Sequence, residues 1–479
     1  MSTATPFTIT AIELFERPVH LRLPFRFGAA TVDAAPQAFV RARIRLADGR
    51  EATGATAELM VPKWFDKDPS LTHEENFDQL RRALAITRDA YLADRAARTA
   101  FGHFAAHHGE CAATAARSGL NLLTAGFGPA EIDKALADAL CRALCVSFFE
   151  AMQSNALGFT PIAVAPDLAT FDASAWLASL TPATSIAARH TIGLADAIAG
   201  HPHRVDDGLP ESLEEAVARY GHRWFKIKIG ADADESLARL AEIAHVLDRL
   251  PHYRVTLDGN EQLDDPEAVA TLIRRLRADA SLARLARSIA FLEQPIERQR
   301  ALDCDMRSVA PEVPLLIDES DATLDAFPRA RAVGYAGVSS KSCKGLYKSL
   351  ISAARCRLWN AERRDARYFV SGEDLTVQPG LALQQDLALV TLLGIEHVER
   401  NGHHYVNGMG GAPAMEQHAF HVAHTDLYEC SHGAVRLAIR DGRIALASLA
   451  CAGFASDAEP DWTSLASMHE TNAMVHSFS

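Results

Sequence analysis

The sequence predicts an α/β protein: a closed barrel of eight parallel strands carrying an antiparallel α+β unit built from the two chain ends. Three observations carry that expectation. The chain has 479 residues, too many for one small domain and enough for two domains or one barrel with additions. Between residues 186 and 400, short apolar segments alternate eight times with amphipathic helices, at the spacing of about 25 to 35 residues expected of successive βα units. Hairpin patterning marks both ends of the chain.

At the N-terminal end, residues 40–46 alternate apolar and polar side chains ahead of Asp48-Gly49, a dipeptide that tolerates the positive φ angles of a tight hairpin. Near the C-terminus Val435, Leu437 and Ile439 repeat the pattern, Asp441-Gly442 turns the chain, and Ile444, Leu446 and Leu449 follow. Both ends are therefore expected in one antiparallel cap, formed by residues 1–150 and completed by 425–479, with the barrel at 151–424.

The first barrel strand is read at 185–188. Pro210 opens a helix in which Leu213, Ala216, Val217 and Tyr220 share a face, and Gly221 stops it. A strand at 224–229 follows. Asp234 is the expected cap of the next helix, with Leu237, Leu240, Ala244 and Leu247 on its apolar face, ahead of a strand at 253–257. Asp265-Pro266 starts a third helix carrying Val269, Leu272, Ile273 and Leu276. Further strands are expected at 289–292, 314–317, 336–339, 368–370 and 395–398. No Gly-rich turn follows the first strand, which opposes a dinucleotide-binding sheet.

Composition narrows the function classes. With 48% hydrophobic and 23% charged residues the chain reads as globular, not disordered or coiled coil. The 61 acidic against 48 basic residues give a net charge of −13 without a basic cluster, so nucleic acid is not an expected partner. No apolar run approaches the roughly 18 residues of a membrane helix, and the N-terminus lacks a signal-peptide pattern. The expectation is a cytoplasmic protein that does not bind a membrane. Eight cysteines are scattered without a CxxC pair, as suits free thiols in a reducing compartment.

In a parallel barrel the reactive groups sit at the C-terminal ends of the strands. Those ends read Lys226-Ile227-Lys228, Asp258-Gly259-Asn260, Glu293-Gln294-Pro295, Asp318-Glu319-Ser320 and Lys341-Ser342-Cys343-Lys344. Three carboxylates on adjacent strands, Asp258, Glu293 and Asp318, crowd negative charge that a cation would relieve. Hard oxygen donors favour Mg²⁺, or Mn²⁺, over Zn²⁺. Strand alternation sends Lys226 and Lys228 to the same side, roughly 7 Å apart, and their repulsion, with the nearby metal, is expected to lower an ammonium pKa toward a useful base. Lys341 rises from the sixth strand, across the barrel from the second. A lysine on each side of a substrate suits removal of a proton from one face of a carbon and its return to the other. The metal would hold a small-molecule carboxylate substrate and stabilise the enediolate.

Lys-x-Lys, Asp-x-Asn, Glu-Gln-Pro, Asp-Glu-Ser and Lys-x-x-Lys, in this order at successive strand ends, resemble the enolase superfamily, and most closely its muconate-lactonizing-enzyme subgroup. The resemblance implies a modified (β/α)7β barrel of the TIM type with an α+β capping domain, and assembly into dimers or octamers. It makes Asp258, Glu293 and Asp318 the Mg²⁺ ligands, Lys228 the base, Lys226 the residue that tunes it, and Lys341 the opposing acid or base. Asn260 matches a residue that supports the metal shell. The run from Glu131 to Leu144 resembles the helix leading from cap to barrel. Racemisation or epimerisation is the leading expectation; acid-sugar or succinylbenzoate dehydration, cycloisomerisation, and a metal-binding barrel without turnover are the alternatives.

Departures from the family pattern bound the reading. Asp258 and Glu293 are 35 residues apart, Gly345-Leu346 replaces a Gly-Gly pair, and residues 100–128 and 156–184 look additional. The seventh strand offers Glu373 and Asp374, and the eighth offers Glu399 where dipeptide epimerases hold a substrate ammonium. Lys344 and Lys348 are equally readable as exposed or functional, and Glu319 as a neighbour of a catalytic lysine or a local hydrogen-bond partner. His103, His107, His108 and Cys111 lie in an Ala-rich stretch that argues against zinc, and 403–405 reads as a polar loop. The aromatic segments containing Phe27, Trp64 and Phe65 are lid candidates, with cap core as the other reading.

Overall fold

In the computed structural model, which describes residues 4–27, 30–200 and 204–468, the chain first lays down an antiparallel meander. Its strands are β1 (Phe7–Phe27), β2 (Ala30–Leu46) and β3 (Glu51–Leu59). The turn between β2 and β3 falls at Asp48-Gly49 as expected: Gly49 takes φ +87°, and Arg45 faces Glu51 across it. Three helices cover the meander, α1 (His73–Ala93), α2 (Ala100–Arg117) and α3 (Leu122–Leu144). A reciprocal Thr72 and Glu75 capping box starts α1. The segment 100–128, read as additional, is thus α2 and the opening turns of α3. Almost all of α3 is buried, and it lies so close to β3 that a Cβ on Gly54 would stand 2.1 Å from the Ala139 nitrogen.

After α4 (Phe148–Gln153) and α5 (Ala173–Ser179) the barrel begins. Its strands are β4 (Ser185–Ile192), β5 (Trp224–Lys228), β6 (Arg254–Asp258), β7 (Ile289–Glu293), β8 (Leu315–Ile317), β9 (Gly337–Ser340), β10 (Phe369–Gly372) and β11 (His397–Arg400). Each pairs in parallel with the next, and β11 closes on β4 through Val398 opposite Ala188. Outside the ring lie α6 (Leu213–Tyr220), α7 (Ala233–Leu247), α8 (Pro266–Ala278), α9 (Ala283–Ser288), α10 (Ala326–Ala332), α11 (Leu346–Arg363) and α12 (Leu381–Leu392). Among the described residues, turns and not a helix connect β7 to β8. Ser212 caps α6 and Gly221, at φ 70°, ends it. Asp265 caps α8 as read. The cap of α7 is Asp232, whose carboxylate accepts from the N–H groups of Asp234 and Glu235, and not Asp234 itself.

The C-terminal hairpin reading needs a larger correction. The Asp441-Gly442 turn is present, but β12 (Tyr428–Ser431) and β13 (Ala434–Leu437) pair only with each other. The following strand, β14 (Arg443–Ala445), adds to the barrel strand β4, with Ile444 opposite Ile186. Only β15 (Ala466–Ser467) joins the N-terminal meander, along β1. Alternation reports that one face of a strand is buried, not which sheet buries it. No helix among the described residues is long and apolar enough to cross a membrane.

Polar contacts set the cap on the barrel. From β3, Thr56 donates to Gln385 of α12 at 2.6 Å, and Gln385 donates back to the Ala55 carbonyl at 2.8 Å. Ser342, beside Lys341, donates to Glu58 at 2.8 Å, and Lys134 of α3 bridges Glu131 at 3.0 Å and Glu58 at 3.4 Å. This side of the cap therefore fixes the loop that carries Lys341.

The close packing of α3 on β3 has a measurable consequence. Gly54→Val should lower the unfolding free energy by about 1–3 kcal/mol or more through overpacking. Gly109→Ala, at a helical position with open space around it, should raise it by about 0.5–1 kcal/mol. Urea denaturation followed by circular dichroism measures both.

Candidate active site

Strand alternation builds the site. In β5 the side chains of Phe225 and Ile227 enter the fully buried apolar layer, which leaves Lys226 and Lys228 to face the barrel interior. Register places Lys228 beside Asp258, and Asp258 beside Glu293, in one row at the strand ends. Asp318 follows β8 and Lys341 follows β9. All six of these residues are at most 6% exposed.

Lys226 stands at the centre of four carboxylates. Its Nζ lies 3.0 Å from Asp258, 2.7 Å from Glu293, 2.9 Å from Glu373 and 2.9 Å from Glu399. Below it Arg189 of β4 pairs with Glu373 and donates to the Gly372 carbonyl at 2.9 Å. Above it Lys228 donates to Asp258 at 2.6 Å. Lys341 donates to Asp318, and Lys344 meets the same carboxylate at 3.4 Å, Asp321 at 3.0 Å and the Ser339 hydroxyl at 2.6 Å. Lys348 pairs with Asp321 at 3.3 Å. Lys344 and Lys348 are thus buried members of the site wall, and the exposed reading of both is set aside.

Electrostatics differ from expectation at the lysines. Burial opposes the charge of Lys226, but its four carboxylates outweigh burial and hold its pKa well above the ordinary value. Burial likewise opposes the Lys341 ammonium, and Asp318 more than compensates, again raising the pKa. At Lys226 the attraction of four carboxylates, and not repulsion from a neighbouring lysine, thus sets the direction of the shift. Burial lowers Lys348 to about 8 against the pull of Asp321. Among the acids, burial followed by Asp258 and Glu373 drives Glu293 well upward, and burial followed by Asp318 raises Glu319. Asp318 moves the other way, since Lys341 and Lys344 outweigh its burial. Glu373 is held down to about 2, with Arg189 and Lys226 overcoming desolvation.

Several positions proposed as substrate contacts are engaged internally. Glu399 accepts from Thr191 at 2.6 Å and from the Asp374 N–H at 2.9 Å in addition to Lys226. Asn260 takes φ 41°, gives its N–H to Asp258 at 2.9 Å and approaches Glu319 at 3.5 Å. The two aromatic lid candidates of β3's exit loop separate: the Trp64 ring centroid lies 4.4 Å from the Lys341 Nζ, whereas Phe65 packs edge-on against Phe127 of α3, 5.4 Å away. Arg298 accepts no such freedom for this loop, donating to the Trp64 carbonyl at 2.9 Å and to Glu261 at 2.8 Å. The side chain of Phe27 lies outside the described residues.

Two contributors went unassigned in the sequence. Arg189 is the one Arg or Lys of β4 and follows the apolar run Ile186-Ala187-Ala188, a signal that could have marked it as the partner of an interior acid. Gln294 accepts from the N–H groups of Asp318 at 2.8 Å and Ser320 at 3.2 Å and so orders the turn that presents Asp318; nothing in its pattern separates it from an ordinary loop glutamine. The segment 403–405, read as a polar loop, belongs to a short helix, α13 (Gly402–Tyr405), with His404 and Tyr405 buried.

The residues present fit a hard divalent cation. Asp258, Glu293 and Asp318 stand at the ends of three successive strands, and Glu293 Oε1, Glu319 Oε2 and Asn260 Oδ1 are buried without a hydrogen-bond partner, an unusual state for polar atoms inside a protein. Oxygen donors of this kind are what Mg²⁺ takes. A cavity of about 820 Å³ lies at the other end of the barrel among the strand starts, where Trp224, Arg254, Phe291 and His397 line it. None of the clustered carboxylates lines that cavity, so size and chemistry point to opposite ends, and the chemistry follows the carboxylates.

Comparison with known proteins agrees with this geometry. Residues 208–363 match the family model described as Enolase C-terminal domain-like. A search of curated proteins found no match. Among solved structures, a dipeptide epimerase from Enterococcus faecalis complexed with Mg and the dipeptide L-Leu-L-Tyr is 14% identical, with TM-score 0.58 over 94% of this chain and 99% of its own. A muconate lactonizing enzyme from Pseudomonas fluorescens complexed with muconolactone is 17% identical, with TM-score 0.57 over 96% and 97%. An enolase from Bradyrhizobium complexed with magnesium and mandelic acid is 17% identical, with TM-score 0.57 over 92% and 94%. Residues 208–363 of this chain thus match an enolase C-terminal domain-like model, and the chain as a whole has the capped-barrel fold of the mandelate racemase/muconate lactonizing enzyme structures.

Proposed function

We propose that the protein is a Mg²⁺-dependent enzyme that removes the α-proton of a small carboxylate substrate and returns a proton to the opposite face, as a racemase or epimerase. The observation that carries the reading is the placement of two lysines. Lys228 ends β5 and Lys341 follows β9, four strands apart in a ring of eight, and each contacts a different candidate metal ligand, Asp258 and Asp318. A substrate carbon held between them would present one face to each.

Asp258, Glu293 and Asp318 would hold the metal, with Mn²⁺ as an alternative ion. Bound there, it supplies Lewis-acid stabilisation of negative charge on the substrate carboxylate. Lys228 takes the proton at its Nζ, and Lys341 delivers one from its own. Lys226 keeps Asp258 and Glu293 oriented from below and is a positioning residue, since its four carboxylate partners occupy it. Trp64 covers Lys341 and excludes water from that side. The same proton removal begins a β-elimination, in which Lys341 would protonate the leaving group, and the same enolate would arise in a cycloisomerisation by addition of a carboxylate to an alkene, with a lysine then delivering the proton to the α-carbon.

Proton NMR in D₂O across amino-acid derivatives, dipeptides and acid sugars should show α-deuterium incorporation with Mg²⁺ and none with EDTA. Exchange that persists in EDTA would refute the metal dependence, and the product spectrum separates epimer from alkene or lactone. Lys228→Ala and Lys341→Ala should each slow turnover by about 10²–10⁴-fold, each abolishing exchange from one stereoisomer first; full activity in both would overturn the assignment. Mg²⁺ should raise the melting temperature of the native protein but not of Glu293→Gln, because a ligand stabilises only a fold that binds it. Equal shifts in both proteins would remove Glu293 from the metal site.

A further inference from the structure

On the outer face of the barrel, away from the strand-end carboxylates, three histidines from distant parts of the chain meet. His190 lies on β4 directly after Arg189, which points inward, so alternation turns His190 outward. His222 precedes β5, and His403 sits in α13 after β11. One ring nitrogen of each lies within 4.8 Å of those of the other two. His190 and His222 are 2% and 0% exposed, and His403 is half-buried.

The hydrogen bonding of the group is incomplete in a particular way. His222 Nδ1 faces the Ala188 carbonyl at 3.2 Å, while its Nε2 is buried without a partner. A metal-binding histidine ordinarily donates its second nitrogen to such a carbonyl, which fixes the ring and directs the other nitrogen at the ion. His190 Nδ1 and His403 Nε2 stand 3.3 Å apart, and tetrahedral zinc with bonds of about 2.0–2.1 Å separates its ligand nitrogens by about 3.3 Å. His403 Nδ1 is also without a partner. Burial keeps His190 and His222 in the neutral form that ligates. Tyr220 and Phe225 wall the cluster, with ring centroids 5.1 Å from His403 and 6.3 Å from His222. Arg400 and Arg22 face His403, and Asp196, Glu211 and Asp207 face the adjoining His404, so charges of both signs adjoin the cluster.

We infer that His190, His222 and His403 form a second metal site, specific for a borderline divalent ion of the zinc type and independent of the strand-end carboxylates. Imidazole nitrogens select zinc, cobalt, nickel or copper over magnesium. Three protein ligands leave one coordination position open, and the half-buried His403 is the side from which an ion enters. By tying β4, the turn before β5 and α13 together, the ion would staple the first and last strands of the barrel where the ring closes. A second group, Asp94, His103 and His107, also has its ligand atoms close together, but His107 meets Asp94 at 2.9 Å and His103 meets the Phe7 carbonyl at 3.1 Å, and Arg98 holds the Asp94 carboxylate at 2.7 Å.

The test is metal loading of the full-length protein without a histidine tag. After EDTA treatment and one equivalent of Co²⁺ or Zn²⁺ in the presence of excess Mg²⁺, gel filtration and plasma mass spectrometry should find about one ion retained per chain, and the cobalt form should show the intense visible bands of a tetrahedral nitrogen site. His403→Ala and His222→Gln should lose the bands and weaken retention at least tenfold. Asp258→Asn and His107→Gln should keep both. No retained ion in the native protein, retention unchanged in folded His403→Ala, or loss of the bands only in Asp258→Asn would each overturn the inference. Circular dichroism verifies that each variant folds, and should His222→Gln not fold, the partly exposed His403 position decides alone.

Discussion

Everything at the strand ends depends on balancing buried charge. Asp258, Glu293, Asp318, Glu319, Glu373 and Glu399 are each 1% exposed, and an isolated carboxylate at such depth is too costly to stay ionised. Lys226, Lys228, Lys341, Lys344 and Arg189 supply the opposite charge from inside the same barrel. The cost of burying each ion is offset only where geometry is good and the remaining lone pairs are satisfied, and here the balance divides by depth. At the floor, Arg189 pairs with Glu373, and Lys226 pairs with Glu373 and Glu399. At the mouth Glu293 and Glu319 keep oxygens without partners, so the mouth is the part of the barrel with capacity for another cation.

The cap contributes by holding the mouth. A barrel strand end is a loose place to anchor a lysine, yet Lys341 is held by Asp318 from below, by Trp64 from above, and by the hydrogen bond of its neighbour Ser342 to Glu58 of β3. Arg298 carries the same coupling on the other side, joining Glu261 of the barrel to the carbonyls of Trp64 and Phe65. The two parts of the fold are therefore joined through polar contacts that end on site residues, and packing errors at the junction of α3 and β3 would reach the site through Glu58 and Lys134.

Much of this was legible in the sequence because parallel barrels put short, strongly apolar strands ahead of their functional residues. Lys226, Lys228, Asp258 and Glu293 could be placed from alternation and strand ends alone. What was not legible is what depends on partners distant in sequence. The C-terminal strand at Arg443–Ala445 carries the same pattern whether it joins the cap or the barrel, and it joins the barrel. The raised pKa of Lys226 could not be read because its four carboxylate partners come from four other strands. Lys344 and Lys348 read as a helix start, exposed or functional alike, because Asp321, which pairs with both, belongs to another βα unit. The three outer histidines, at 190, 222 and 403, have no local spacing at all.

Barrel polarity explains why the clustered charges sit away from the 820 Å³ cavity. Three of the strand starts carry rings, Trp224, Phe369 and His397, and these line the cavity at that end. Strand ends are short acids and long cations whose side chains fold back onto one another and leave little empty volume. Volume at a strand-start end reflects imperfect filling by large rings, whereas a site able to move a proton needs groups drawn within hydrogen-bond distance before any substrate arrives. The contacts of Lys228 with Asp258 and of Lys341 with Asp318 meet that requirement. A substrate carboxylate entering there would displace lysine–carboxylate contacts and not fill a void, so affinity at the mouth is set by exchange of charged partners, and a salt-sensitive association is the physical consequence.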